Sequence, residues 1–250
     1  MLAKEFPGGM MLLTGANSAT GLRSTPCRYI FMDEVDAFPA DVDGEGDPVS
    51  LAEKRATTFA RRKILLTSTP TVKDFSRIEA EYLRSDQRRF YVPCPKCGVK
   101  EWLKWAQLKW QNNDPNTAQY ECEHCGERFS DIHKPMMLRE GEWRATAPFD
   151  GKTAGFQLSG LYSPLGWLSW ADMVDDFLRA KSDAPMLKSF VNTRLAETWE
   201  EDYASKVDAA GLIDKCEHYE PGIIPADAWA LTVGVDVQGG GGSIGDRLAI

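Results

Sequence analysis

Two cysteine pairs, Cys94-Pro-Lys-Cys97-Gly and Cys122-Glu-His-Cys125-Gly, constrain this chain more than any other feature. Each C-x-x-C turn presents two thiolates at the bite a tetrahedral zinc ion requires, and the glycine after each pair permits the tight turn. The pattern predicts a closed structural zinc site of Cys94, Cys97, Cys122 and Cys125, a zinc ribbon over 91–130. Four thiolates leave no open position for catalysis, so the expected role is folding and contact. His124 sits inside the second knuckle, but four cysteines need no substitute. Residues 102–105, between the knuckles, have room to form a strand or a helix. The opening MLAKEFPGG lacks the long apolar stretch of a secretory signal, and no apolar run approaches the ~20 residues that span a bilayer. A soluble, intracellular chain with no membrane partner is therefore expected. In that setting paired cysteines argue against a disulfide framework. The remaining two, Cys27 and Cys216, read as buried thiols.

The net charge of −8 argues against a simple nucleic-acid-binding module, because such modules are usually basic. The charge is unevenly spread, however. Residues 29–53 carry many carboxylates and no Lys or Arg, a composition that can gather a metal. Residues 88–110 carry Arg88, Arg89, Lys96, Lys100, Lys104 and Lys109 against a single Glu, and can meet phosphate. Both stretches also read simply as solvated faces.

The order of elements suggests α/β. Tyr29-Ile30-Phe31-Met32 and Ile64-Leu65-Leu66 are short apolar runs of the buried-strand kind. A helix is expected over about 48–62, with Pro48 near its first turn, and another over 75–83. Strand, helix, strand, helix points to a parallel sheet. A Gly- and Pro-punctuated stretch leads to Leu168, and two helices follow. Ser169 and Asp172 form a capping-box variant, after which Trp170, Val174, Phe177 and Leu178 share one face. Leu187, Phe190, Val191 and Leu195 repeat that spacing. Leu231 to Val237 reads as a strand carrying Asp236, and Gly239 to Ser243 as a flexible linker, natural or engineered.

An apolar strand ending in Asp33-Glu34 supplies what a nucleotide hydrolase needs at the carboxyl edge of its sheet. Asp33 would hold magnesium through its water shell, and Glu34 would orient the attacking water. Lys63-Ile64-Leu65-Leu66-Thr67-Ser68-Thr69-Pro70 places small hydroxyls at the end of the next strand, as motor ATPases do to sense the γ-phosphate; the plain alternative is a Ser/Thr-Pro turn. Two resemblances are decoys. Gly151-Lys152-Thr153 imitates the end of a phosphate-binding loop, but Thr146 stands where the first glycine belongs and Pro148 interrupts the spacing. Asp41, Asp43, Glu45 and Gly46 imitate half an EF-hand loop, whose twelfth position here is Ala52.

The stretches GANSATGLRS (15–24), YIFMDEVDAFPADVDGEGDP (29–48), RRKILLTSTPT (61–71), SRIEAEYLRSDQRRFYVPCPKCG (76–98), GFQLSGLYSP (155–164), FVNTRLAETWEE (190–201) and LTVGVDVQ (231–238) together resemble the lambda-type family of tailed-bacteriophage terminase large subunits. That resemblance implies an ASCE-type P-loop ATPase followed by a ribonuclease H-like nuclease that cuts concatemeric DNA with two metals. Asp33 and Glu34 match its Walker B pair, Ser68 and Thr69 its coupling motif, and Asp236 the first metal-binding Asp of the nuclease. Arg23 lies where family members approach nucleotide or a neighbouring subunit. A two-metal site bridges ions ~4 Å apart, which one Asp cannot do. The expected organisation is the C-terminal half of an ATPase at 1–90, the ribbon at 91–130, a connector at 131–228 and the start of the nuclease at 229–250. The family's phosphate-binding loop and remaining nuclease carboxylates would lie outside these residues, so 1–250 alone is expected neither to hydrolyse ATP nor to cut DNA. The implied cofactors are zinc and magnesium, with ATP as substrate. The implied partners are double-stranded DNA, a small terminase subunit, a portal protein and further copies of the chain, in the host cytoplasm. Two other functions compete: a zinc-ribbon nucleic-acid binder, with basic residues interleaved with Trp102, Trp105 and Trp110, and a helicase-like ATPase, which predicts a second RecA-like lobe downstream.

Overall fold

The computed structural model describes residues 2–23 and 25–200. Asp236, its expected strand, Cys216 and the 239–243 linker lie outside them. The chain begins with an antiparallel hairpin, β1 (Leu2–Phe6) and β2 (Gly9–Leu13), then a short helix, α1 (Ala19–Arg23). β3 (Tyr29–Asp33) is followed by α2 (Pro48–Glu53), β4 (Lys63–Thr67) and α3 (Arg77–Leu83). β3 and β4 pair in parallel, as the order of elements foretold, and the register sets Asp33 opposite Thr67. The alternation of side chains buries Met32 and turns Ile30, Ile64 and Leu66 onto a core with Leu22, Val35, Val49 and Ala52. The other face is open: Phe31 is 77% exposed and Leu65 49%.

The helix expected over 48–62 is much shorter. Asp47 caps it, accepting the Ser50 N–H at 2.8 Å, and Pro48 opens the first turn. After a single 3-10 turn at Lys54–Ala56, the Thr57 hydroxyl donates to the Lys54 carbonyl at 2.8 Å and closes the segment. A threonine hydroxyl that bonds a carbonyl three residues back competes with the helical ladder. The second expected helix starts two residues later, at Arg77, because Ser76 accepts the Glu79 N–H and caps α3.

β5 (Arg88–Pro93) begins a second region. β6 (Lys100–Trp102), β7 (Leu108–Gln111), β8 (Asp114–Glu121) and β9 (Arg128–Phe129) follow. Next come α4 (Lys134–Arg139), β10 (Glu142–Arg144) and β11 (Phe156–Gln157). Residues 102–105 are thus partly strand, with a 3-10 turn at Trp105–Gln107. β5 pairs with β6 and β10 antiparallel and with β11 in parallel, while β7, β8 and β9 form an antiparallel sheet. α5 (Trp170–Ala180) carries the expected capping box, with Ser169 accepting the Asp172 N–H and Asp172 accepting the Ser169 N–H. α6 (Ala184–Phe190) runs into a π-helical turn at Val191–Leu195.

One core runs through this second region, from Val92 and Cys94 through Tyr120, Cys122 and Phe129 to Trp170, Val174, Phe190 and Leu195. The residues expected as ribbon and those expected as connector therefore share their interior. Trp170 joins them: its ring lies 5.6 Å from Tyr120 and 6.0 Å from Phe129, and its indole N–H donates to the Leu161 carbonyl at 3.0 Å. Buried Lys134 satisfies its ammonium on the Ser163 and Leu168 carbonyls at 3.0 and 3.1 Å, tying down the loop before α5. Among the described residues no helix is long and apolar enough to cross a membrane.

Candidate functional site

At the carboxyl edge of β3 and β4, the parallel register sets Asp33 beside Thr67. The Thr67 hydroxyl donates to Asp33 Oδ1 at 2.5 Å, and the Glu34 N–H reaches the same oxygen at 3.1 Å. One carboxylate oxygen thus carries both intramolecular donors. Glu34 adopts the left-handed conformation (φ 54°, ψ 48°), which costs a non-glycine residue roughly 1 kcal/mol. Such backbone occurs at functional sites when the surroundings over-determine it. Here they do. The Asp36 N–H donates to Ser68 Oγ at 3.1 Å, and the Asp36 carboxylate accepts the Thr71 hydroxyl at 3.0 Å and the Ile78 N–H at 2.7 Å. Arg77 donates to the Val35 and Pro39 carbonyls at 2.6 and 3.3 Å and pairs with Asp47 at 3.0 Å. Asp33 and Thr67, with Phe31, Met32 and Leu65, line a cleft of about 230 Å³.

The four groups singled out in the sequence therefore divide. Asp33 and Glu34 emerge together, but the hydroxyl beside Asp33 belongs to Thr67. Ser68 Oγ grips the Asp36 turn and donates to the Thr69 carbonyl at 3.1 Å. Thr67, Asp36 and Arg77 were missed. For Thr67 the signal was available in the strand register, because aligning the two apolar runs puts Asp33 level with it. Arg23 pairs with Glu45 at 2.7 Å, and its carbonyl accepts a bond from Arg55.

The four cysteines converge. Their sulfurs all lie within 4.8 Å of one another, with Cys94–Cys125 and Cys97–Cys122 both at 3.9 Å. Sulfurs bound at about 2.3 Å around a tetrahedral zinc stand roughly 3.8 Å apart, so the donor set fits that ion with little contraction. The two knuckles are built alike. Gly98 N–H bonds the Cys94 carbonyl and Gly126 N–H the Cys122 carbonyl, each at 2.9 Å, and both glycines have positive φ, at 75° and 72°. Knuckle one joins β5 to β6, and knuckle two joins β8 to β9. Buried Glu101 braces the second, accepting the Glu123 N–H at 3.0 Å. Burial pushes the Cys94 and Cys122 thiols up, while the Val99 N–H holds the exposed Cys97 thiol down. Cys27, expected to be buried, is only half-buried.

The basic stretch is largely paired within the fold. Arg88 holds the fully buried Asp86 at 2.7 Å and lies over the Phe156 ring, and Arg89 lies over Tyr82 and bonds Gln157. Lys100 pairs with Glu142 at 3.0 Å, and Lys104 pairs with Glu123 at 2.8 Å while resting over Trp102. Lys109 donates to the Ala106 carbonyl at 2.7 Å, and Lys96 stands exposed in the first knuckle. Trp105 and Trp110 pack with Phe177, and Trp105 also meets Phe190, so both belong to the aromatic core. Arg89, Trp102, Lys104 and Trp105 border a cleft of about 430 Å³ with Ser159 and Glu197, whose carboxyl is pushed up by burial.

Both decoys resolve as turns. Asp41 accepts the Gly44 and Gly46 N–H groups at 2.7 and 2.8 Å, and Asp43 accepts the Ala19 N–H at 3.2 Å. Asp150 accepts the Lys152 and Thr153 N–H groups at 2.8 and 3.0 Å, so that segment is an Asx turn.

Residues 1–143 match the family model described as "Phage terminase large subunit gpA, ATPase domain", and residues 153–249 match "Terminase large subunit gpA, endonuclease domain". The chain is 34% identical to "Terminase, large subunit" of Enterobacteria phage P21 and 30% identical to the protein of that name from Escherichia phage lambda. Each alignment covers 94% of this chain and 40% of the relative, so the chain spans well under half the length of the curated relatives it matches. No solved structure matches it. With more than half its length inside the first family model, and the acidic strand end and the paired knuckles inside that span, the chain belongs to the phage terminase large subunit family.

Proposed function

We propose that the chain is part of a viral DNA-packaging motor, in which the intact subunit couples ATP hydrolysis to DNA translocation and cuts concatemeric DNA. The single observation that carries this reading is the Asp33–Thr67 pair beside the left-handed Glu34 turn at the carboxyl edge of two parallel strands. Thr67 and the Glu34 N–H occupy one oxygen of Asp33, leaving Oδ2 for the water shell of magnesium. Magnesium supplies charge neutralisation on the phosphate oxygens. Glu34, held by the Asp36 and Arg77 clasp, orients the attacking water. Ser68 and Thr69 couple phosphate loss to movement through the same clasp. Arg23 reaches nucleotide or a neighbouring subunit by exchanging Glu45. In the nuclease the metal-binding role falls to Asp236, which lies outside the described residues.

The four cysteines hold a structural zinc ion that closes the ribbon onto the core it shares with α5. Lys96, exposed in the first knuckle, is the basic residue most open to the DNA backbone; Arg88, Arg89, Lys100 and Lys104 would meet it by exchanging the partners they hold within the fold. The partners of the intact subunit are double-stranded DNA, a small terminase subunit, the portal protein and further copies of itself, in the cytoplasm of the infected host.

The test is steady-state ATP turnover by the full-length subunit with Glu34→Gln and Asp33→Ala. Loss of a positioned base is expected to lower kcat about 100-fold or more. Turnover within twofold of the parent for both variants rules the assignment out. Salt-steep DNA binding indifferent to Asp33→Ala, without turnover in the parent, is the result a plain nucleic-acid binder gives.

A further inference from the structure

The segment after the hydroxyl turn is spliced to a part of the chain more than a hundred residues away. Thr71, Val72 and Lys73 form a parallel bridge with Trp199: Trp199 N–H donates to the Thr71 carbonyl at 2.9 Å, and Lys73 N–H to the Trp199 carbonyl at 3.0 Å. Side chains bolt this bridge on both flanks. The Thr198 hydroxyl donates to Glu79 Oε1 at 2.7 Å, and Lys73 pairs with Glu200. The Thr71 hydroxyl binds Asp36, which also grips Ser68 and the first turn of α3. An unbroken set of bonds therefore runs from Asp33 and Thr67, through the 68–71 turn, to residues 198–200. Residues 71–73 fall within the ATPase family match and residues 198–200 within the endonuclease match.

We propose that this strap transmits the nucleotide state of the Asp33–Thr67 site to the nuclease part of the chain. The inference rests on the motor reading above. Its physical basis is that the strap is short, made of backbone bonds, and anchored at one end on Asp36, whose turn sets Glu34. Any shift of the 68–71 turn on phosphate loss must either carry Trp199 with it or break the bridge. Communication between sites needs a differential energy between two states, which keeping or breaking the bridge supplies.

The experiment uses the full-length subunit, with linear double-stranded DNA cut in the presence and absence of the magnesium complex of a non-hydrolysable ATP analogue. The parent is expected to change its cutting rate about fivefold or more on adding the analogue, within the usual range for coupled sites. Trp199→Pro removes the bridging N–H, and the double variant T198V/K73A removes the side-chain bonds that hold the two segments in register for that bridge. In both, the ratio of the two cutting rates is expected to fall toward one, while kcat and KM for ATP stay within twofold of the parent. If Trp199→Pro does not fold, as judged by circular dichroism, the double variant decides. A ratio unchanged in the folded variants, or absent in the parent, overturns the strap. ATP turnover and cutting that fall together at constant ratio also overturn it, because that is the mark of a purely structural role. A parent that turns over no ATP fails the motor reading, a result distinct from each of these.

Discussion

At the scale of single residues, Thr67 and Asp86 illustrate two uses of a polar side chain. Thr67 sits at the open end of a strand and spends its hydroxyl on Asp33. In the full-length subunit, Thr67→Val is expected to lower ATP turnover at least about tenfold and raise the magnesium concentration needed for half-maximal rate. Thr67→Ser should restore both. A magnesium titration of turnover checks this, since a structural loss would not move the metal dependence selectively. Asp86 is fully buried, holding Arg88 at 2.7 Å and the Gly155 N–H at 3.1 Å. Asp86→Ala strands both donors and is expected to cost about 3–5 kcal/mol, measurable by urea unfolding of chain 1–250.

At the scale of elements, α5 depends on its first turn. Ser169→Ala removes the cap and should cost about 1 kcal/mol at neutral pH. Asp172 completes the box, and the Ser169 hydroxyl and N–H hold its carboxyl below the usual carboxylate range. A depressed folded-state value means the stabilisation is present above the ordinary pKa and fades as pH falls through the lower folded value. The difference between the parent and Ser169→Ala should therefore shrink in acid below about pH 4, read by unfolding at stepped pH. Trp170 is the hinge between α5 and the knuckle sheet. Trp170→Ala is expected to cost about 3–5 kcal/mol. The knuckles themselves should carry one zinc per chain by elemental analysis, and a strong chelator should lower the melting temperature of the second core.

At the scale of the whole molecule, the β3–β4 region and the knuckle region have separate cores, and the first carries an open sheet face with Phe31 and Leu65 exposed. Parallel strands are usually covered on both sides. Residues 1–250 contain no G-x-x-x-x-G-K-[ST] phosphate-binding loop, so purified 1–250 is expected to show no magnesium-dependent ATP turnover above background in a phosphate-release assay. Turnover comparable to a full-length subunit overturns that expectation.

Much of this was legible in the sequence because it is local. The spacing C-x-x-C-G determines a knuckle whatever surrounds it, Ser169 and Asp172 cap a helix within one turn, and a four-residue apolar run ending in Asp33-Glu34 announces a strand with carboxylates at its exit. What the order of residues could not reveal is pairing across distance. Nothing near Arg88 foretells that β5 takes β10 on one side and β11 on the other, nor that Trp105 and Trp110 turn inward onto Phe177. Residues 48–62 carry helical signals that lose to the Thr57 hydroxyl bonding the Lys54 carbonyl. The identity of the hydroxyl beside Asp33, the grip of Asp36 on Thr71 and the splice to Trp199 arise only when strands align and distant segments close. Local rules act through bonds between near neighbours, whereas tertiary structure selects partners by shared burial and register, which the chain specifies only as a whole.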